Sequence, residues 1–263
     1  MIRALFTSAT GMNVQSTTID NTANNLANVN TNGFKKGQAD FQDLLYVTER
    51  VPGSEAAQGL QVPTGLQIGS GARVAGITKV FTAGSLTNTA NPLDLAIEGG
   101  GFLQVTLPSG ELRYTRDGAL RLNSVGNLVT SDGFLINPQV TIPQTAVSIS
   151  VGSDGTISVQ NAGATNVSTQ LGQLTLVRFQ NDAGLSAEGR NLFAETASSG
   201  TPNLSTPGLN GAGFIRQGFL ERSNVDPVTE LVSLILAQRA YEFNTRAVRT
   251  SDNMLQATSE LIR

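Results

Sequence analysis

Apolar and small residues near the start of the chain recur at Ile2, Leu5, Ala9, Met12, Ser16, Ile19, Ala23 and Leu26, in alternating steps of three and four. That 3.5-residue repeat is the a/d seam of a helix wound left-handed against a partner. Near the other end Leu234, Tyr241, Val248, Leu255 and Ile262 fall seven apart, beside a second ladder of Ala240, Ala247, Met254 and Leu261. Asp226-Pro227 supplies an N-cap followed by proline at the first helical position. The second helix then runs about 37 residues, or about 55 Å at 1.5 Å per residue. Its other seam positions, Asn244, Ser251 and Thr258, are polar, which suits packing against several neighbours better than a self-contained dimer. The competing arrangement is one in which both helices simply cover a β core.

The first helix ends in the stretch NTANNLANVNTNGFKK (21–36), where Asn32-Gly33 is a helix-stop signal. With Ile2 at heptad position a, Asn24 falls at b, Asn25 at c, and Asn21 and Asn28 at f. These are outward positions, normally filled by Glu and Lys in a solvated coiled coil. Here only Arg3 and Asp20 are charged among residues 1–34. An amide face makes hydrogen bonds without the cost of desolvating an ion. It is therefore expected to meet copies of the same chain or to line a water-filled channel, the competing reading being a polar exposed helix that happens to favour Asn.

Between the helices the period changes to two. FLQVTL (102–107), ELRYTR (111–116), ALRLN (119–123), NLVT (127–130) and FLI (134–136) are separated by Ser109-Gly110, Asp117-Gly118, Gly126-Asn127 and Asp132-Gly133. Such dipeptides favour tight hairpins, so an antiparallel meander is expected. VSISV (147–151), TISV (156–159) and LGQLTLVRF (171–179) extend the pattern. The region from about 80 to 224 is expected to form one β domain, a twisted sheet curling into a barrel or sandwich. Residues 47–76, rich in Gly, Pro, Ser and Gln, are too many for an idle loop. They are either a disordered linker or an extended arm that orders against a partner. The resulting class is α+β: terminal helices paired as a coiled coil (1–35 and 225–263), an arm (36–80) and a mainly antiparallel β domain (81–224).

Little in the chain suggests chemistry. It has no His and no Cys, which removes disulfides, thiol nucleophiles, His or Cys zinc sites and a Ser-His-Asp triad. Charged residues are 14% and the net charge is −3, so nucleic acid and anionic membranes have no electrostatic claim on it. Gly99-Gly100-Gly101 precedes a strand pattern, not a helix, and does not read as a phosphate loop. Asp117, Asp132 and Asp154 each precede Gly and read as turns, without the spacing of a calcium loop. Asp40 and Asp43 lack a recognisable cleft. No catalytic, metal or cofactor site is expected. A glycan hydrolase would need a cleft with two carboxylates, and a soluble binding module would need a closed helical bundle. The N-terminus has neither the long apolar core nor the cleavage pattern of a secretory signal, so export would need a route without a cleaved peptide.

The segments NNLANVNTNGFKK (24–36), NPLDLAIEGGGFLQV (91–105), YTRDGALRLNSVGNLVTSDGFLI (114–136) and LILAQRAYEFNTRAV (234–248) together resemble the bacterial flagellar rod and hook family, over nearly the whole chain and in the same order. Length, one mid-sized β domain and the 47–76 segment are most similar to its distal-rod members; a hook protein is normally longer, and proximal-rod relatives are the nearer alternative. The resemblance implies a tubular helical homopolymer in the periplasmic part of the flagellum, exported through the flagellar type III apparatus. The terminal helices would form the inner tube and the β domain the outside. Proximal-rod proteins, the hook protein and the P-ring and L-ring proteins are the implied partners. The arm is implied to stiffen the rod. Subunit contacts are expected at Leu5, Met12, Ile19, Asn24, Asn25, Leu26, Asn28, Leu234, Tyr241, Val248, Leu255 and Ile262, with residues 1–30 and 227–263 largely disordered until assembly.

Overall fold

A computed structural model describes residues 2–52, 55–57, 60–61, 64–161 and 168–261. It has an N-terminal helix, a central, mostly antiparallel β region and a C-terminal helix. The chain divides into two units. One comprises Met1–Leu26, Gly37–Thr78 and Asp226–Arg263, the other Ala27–Lys36 and Lys79–Val225.

In the helix unit, α1 spans Ile2–Ala27 and α2 Pro227–Leu261. The expected cap of α2 is present: Asp226 Oδ1 accepts the Val228 N–H at 3.2 Å and Oδ2 accepts the Thr229 hydroxyl at 2.6 Å. The first bond satisfies a backbone donor that a helix N-terminus leaves without an intrahelical partner, and the second fixes the capping carboxylate. The described strands between residues 37 and 79 pair two by two, as successive rungs of a ribbon. Gly37–Asp43 (β1) pairs with Ala72–Lys79 (β6), Tyr46–Arg50 (β2) with Leu66–Gly69 (β5), and Glu55–Ala57 (β3) with Leu60–Gln61 (β4). The ribbon steps at residues 44–45 and 70–71. There Leu44 N–H donates to Gly71 O at 2.8 Å and the Ser70 hydroxyl to Leu45 O at 2.7 Å.

The β unit opens with Leu86–Asn88 (β7), Leu95–Glu98 (β8), Phe102–Thr106 (β9), Leu112–Thr115 (β10), Arg121–Leu122 (β11), Leu128–Val129 (β12) and Leu135–Asn137 (β13). Ala146–Val151 (β14), Thr156–Asn161 (β15), Ser168–Gln173 (β16), Leu176–Arg178 (β17), Ser186–Gly189 (β18) and Leu192–Ala194 (β19) follow. Asn203–Ser205 (β20), Phe214–Gln217 (β21) and Phe219–Glu221 (β22) complete it. Among the described residues, β9 to β13 and β17 to β20 form a nine-stranded sheet, and β14-β15-β16 a separate three-stranded one. Strand β9 is central, and period-2 alternation sends its side chains into two cores. Leu103 and Val105 join the aliphatic core with Leu95, Ile97, Leu120 and Ile136. Phe102 joins Tyr114, Val177, Phe179, Leu185 and Phe193 on the other face. The Tyr114 and Phe179 rings meet edge to face at 4.8 Å, and Phe81 does so with Phe102 and Phe193 at 5.4 Å.

Two expectations fail here. The meander is broken: β13 returns to lie beside β9, so Asp117-Gly118 does not close a hairpin. Gly118 O instead accepts the Leu95 N–H, and a Cβ on Gly118 would fall 1.5 Å from Leu95 O. The stretch 171–179 is two strands, not one. Leu174 N–H turns aside to Gly155 O, so β16 belongs to the three-stranded sheet and β17 pairs with β9 and β20.

A charge cluster closes the β unit. Glu221, from β22, bonds Lys35 Nζ at 2.5 Å and Arg116 Nε at 2.9 Å, and all three side chains are at most 3% exposed. Lys35 Nζ also donates to Thr82 O, and Arg116 Nη2 to Gly99 O, each at 2.7 Å. The Gly33 N–H donates to Glu221 O at 2.8 Å, with Gly33 at φ +66. A Cβ on Gly33 would sit 2.7 Å from the Arg116 backbone. Two cations thus share one carboxylate. Burial pushes the Lys35 ammonium below its ordinary 10.5, the Arg116 charge adds to this, and Glu221 opposes it.

Glu221→Gln, leaving two buried cations unmatched, should destabilise the β unit by about 3–5 kcal/mol in urea unfolding, whereas Lys35→Met, which removes the surplus charge, should be near neutral. The pH dependence follows from the same cluster. The folded chain gives up the Lys35 proton more readily than the unfolded chain does. Stability should therefore rise with pH from the lowered Lys35 value up to 10.5. Lys79, also lowered by burial, acts in the same direction. Unfolding curves across that window should lose part of the slope in Lys35→Met.

Candidate assembly interface

Within the helix unit, three contacts fix how α1 and α2 meet. A Cβ on Gly11 would lie 3.0 Å from the Asn244 amide. The Thr245 hydroxyl approaches Met12 Sδ at 3.5 Å, and Asn25 Nδ2 donates to Glu230 Oε2 at 3.3 Å. As numbering rises on α1 it falls on α2, so the helices run antiparallel. The ribbon contacts α1 as well. Gly71 (φ +110) lies so close to Thr10 that a Cβ would come within 2.1 Å of its hydroxyl. Arg3 Nη1 bonds Glu49 Oε1 at 2.6 Å in an exposed pair, of a kind that contributes little. Between α1 and the ribbon runs an open groove of 330 Å³, lined by Phe6, Leu44, Val47 and Ile68 with Arg3 and Thr10 among its polar residues.

The side chains expected at subunit contacts are dispersed. Leu5, Met12, Ile19, Leu26, Leu234, Val248 and Leu255 are half-buried, while Tyr241 and Asn24 are exposed. Asn28 is half-buried, and its Oδ1 accepts the Thr31 hydroxyl. Ile262 lies outside the described residues. The other half of the α1 seam, Ile2, Ala9, Ser16 and Ala23, is exposed. Asn25 does not point outward: it is 2% exposed, with both ends of its amide bonded to Gly37. Heptad lettering assumes one partner helix, whereas α1 has α2 on one flank and the ribbon on another.

The sequence reading missed a second apolar face of α2. Ser233, Leu234, Ala237, Ala240, Asn244 and Val248 are its more buried side. Val228, Leu231, Val232, Ile235, Leu236 and Phe243 are exposed, Leu236 by 64%. At 100° per residue these side chains centre opposite the buried side. The signal was present in LVSLILA (231–237), a run apolar on every side of a helix. A helix apolar all round is one whose whole circumference is to be buried.

Comparison with known proteins gives the family. Residues 5–35 match the family described as flagella basal body rod protein. Residues 96–159 match the flagellar hook protein FlgE/F/G D1 domain, and residues 216–261 the flagellar basal body rod FlgEFG protein C-terminal family. Flagellar basal-body rod protein FlgG of Buchnera aphidicola subsp. Schizaphis graminum is 45% identical over 99% of this chain and 100% of its own length. FlgG of Caulobacter vibrioides is 46% identical over 99% of both chains. FlgF of the same organism is 35% identical over 93% of this chain and 89% of its own. The unburied helix faces and end-to-end similarity lead to one assignment: this chain belongs to the FlgG family of flagellar basal-body rod proteins.

Proposed function

We propose that the chain is the subunit of the distal rod, a stiff tubular homopolymer that transmits torque and has no active site. The observation that carries this reading is the outward face of α2, whose large apolar side chains stand exposed. Each such side chain gains about 1.5–3 kcal/mol gross on burial, so several together can drive association. A head-to-tail contact that does not close on itself produces an open helical filament. In this reading α1 and α2 pack as a coiled coil, and neighbouring copies cover their remaining faces. The working division is 1–35 and 225–263 for the helical tube, 36–80 for the arm and 81–224 for the outer β domain. The half-buried seam residues complete the subunit contacts. Greater identity to FlgG than to FlgF of one organism supports the FlgG-like reading over that paralogue.

The proposed surroundings follow from that position: the periplasm, proximal-rod proteins below, the hook protein above, and the P and L rings around. Entry is by the flagellar type III export apparatus without a cleaved signal. The ribbon is the proposed stiffening element. A two-stranded ribbon is marginal by itself, and exposed Leu45, Tyr46 and Val51 leave it surface to bury against neighbours.

Electron microscopy at rising concentration tests the reading directly. The full-length chain should form filaments and gain helical circular dichroism, and a 36–224 fragment should do neither. Ile235→Asp, like Leu26→Asp or Leu255→Asp, should abolish filaments while the β-domain unfolding transition stays in place. A full-length chain that remains a compact monomer at every concentration would overturn the proposal.

A further inference from the structure

The side chain of Asn25 joins three elements of the helix unit. It is carried by α1 and buried. Its Oδ1 accepts the Gly37 N–H at 2.9 Å, and its Nδ2 donates to Gly37 O at 2.9 Å. The same Nδ2 reaches Glu230 Oε2, on α2, at 3.3 Å. From one turn earlier, Asn21 Nδ2 donates to Gly37 O as well, at 2.8 Å. Gly37 begins β1, the root of the ribbon, and is itself buried. A Cβ there would come 2.4 Å from Asn21 Oδ1 and 3.2 Å from Ile77. The Asn25 amide therefore pairs with one residue's N–H and C=O as a neighbouring strand would, while its second proton turns to the other helix. No other side chain of this length offers an acceptor and two donors.

We propose that Asn25 is a positioning residue of the rod, holding the root of the ribbon at a fixed angle to the two helices. This rests on the ribbon being the stiffening element, so the rigidity assigned to it passes through one buried amide. Apolar contacts tolerate sliding, whereas two hydrogen bonds to one buried backbone residue define a single placement.

The ionisable group facing this point is Glu230, from α2; the ribbon presents the Gly37 backbone and Ile77, and α1 presents Asn21. In Asn25→Asp the carboxylate keeps the acceptor for Gly37 N–H but turns negative oxygens on Gly37 O and Glu230. Below the ordinary aspartate value of about 3.9 the carboxyl regains a donor. The chain contains no cysteine, so cysteines replacing exposed Gln67 in the ribbon and Gln238 on α2 carry two unique spin labels.

Pulsed electron paramagnetic resonance on filaments diluted with unlabelled chain then reads the distance distribution within one subunit. Wild type and Asn13→Asp, the same charge at an exposed site of α1, should give a narrow distribution at neutral pH and at about pH 3. Asn25→Asp should broaden it roughly twofold at neutral pH and recover the wild-type width in acid, and Asn25→Ala should be broad at both. Glu230→Gln in the Asn25→Asp background keeps the pH response if Gly37 is the partner that matters. Filaments of Asn25→Asp that form only in acid count as the same recovery. Wild-type width in both Asn25 variants, a width independent of pH in Asn25→Asp, or loss of its filaments at both pH values would overturn the proposal. A wild-type chain that never polymerises would sink the rod reading alone; the same distances measured on the monomer would still decide for Asn25.

Discussion

The two long helices carry more apolar surface than their own unit can cover, and the rest of the molecule is organised around that imbalance. Of the described hydrophobic side chains on α1 and α2, Val14 and Ala237 are buried, while Phe6, Ile235, Leu236 and Phe243 stand in solvent. Such helices gain their stability from packing, not from propensity. The β unit is the opposite case. Its central strand β9 is buried on both faces, and Phe102, Leu103 and Val105 are each at most 1% exposed. One part of the chain buries its apolar side chains, and the other leaves large ones exposed.

Where apolar packing leaves freedom, polar groups fix position. Segment 27–36 is held in the β unit by the Lys35–Glu221–Arg116 cluster and by Asn224. The Asn224 Oδ1 accepts the Lys36 N–H, and its Nδ2 donates to Val80 O, each at 2.8 Å. A buried ion pair is weak evidence for stability, because desolvation offsets most of its attraction. Its effect here is specificity: any shift of the segment would strand Lys35 away from its carboxylate. Asn25 does comparable work in the helix unit with a neutral amide, at lower desolvation cost.

Local signals in the sequence carried the helices, the Asp226-Pro227 cap and the hairpins at Gly110, Gly126 and Gly133, all at φ between +86 and +89. These features depend on residues within a few positions of one another, so periodicity and turn chemistry reach them. The return of β13 to β9, the diversion at Gly118 and the division of 171–179 depend on backbone groups distant in sequence, such as Leu95 and Gly155. No local pattern encodes those. The burial of Asn25 was hidden for a related reason: heptad position describes a helix with one neighbour. The outward face of α2 was legible in LVSLILA, whereas the sevenfold ladder marks one side of the helix alone.

The helix unit is discontinuous in the chain, with the whole β unit lying between Leu26 and Asp226. In any process that delivers the chain from one end, one helix is available well before its partner. α1 is suited to such a wait. Beyond Ile2 its exposed stripe, Ala9, Ser16 and Ala23, is small, and its threonines can turn their hydroxyls onto their own helix, as Thr7, Thr17 and Thr18 do onto carbonyls four residues back. The strongly adhesive LVSLILA segment sits instead on α2. The larger apolar run therefore lies towards one end of the polypeptide, and the helix that carries it is separated from its partner by the whole β unit.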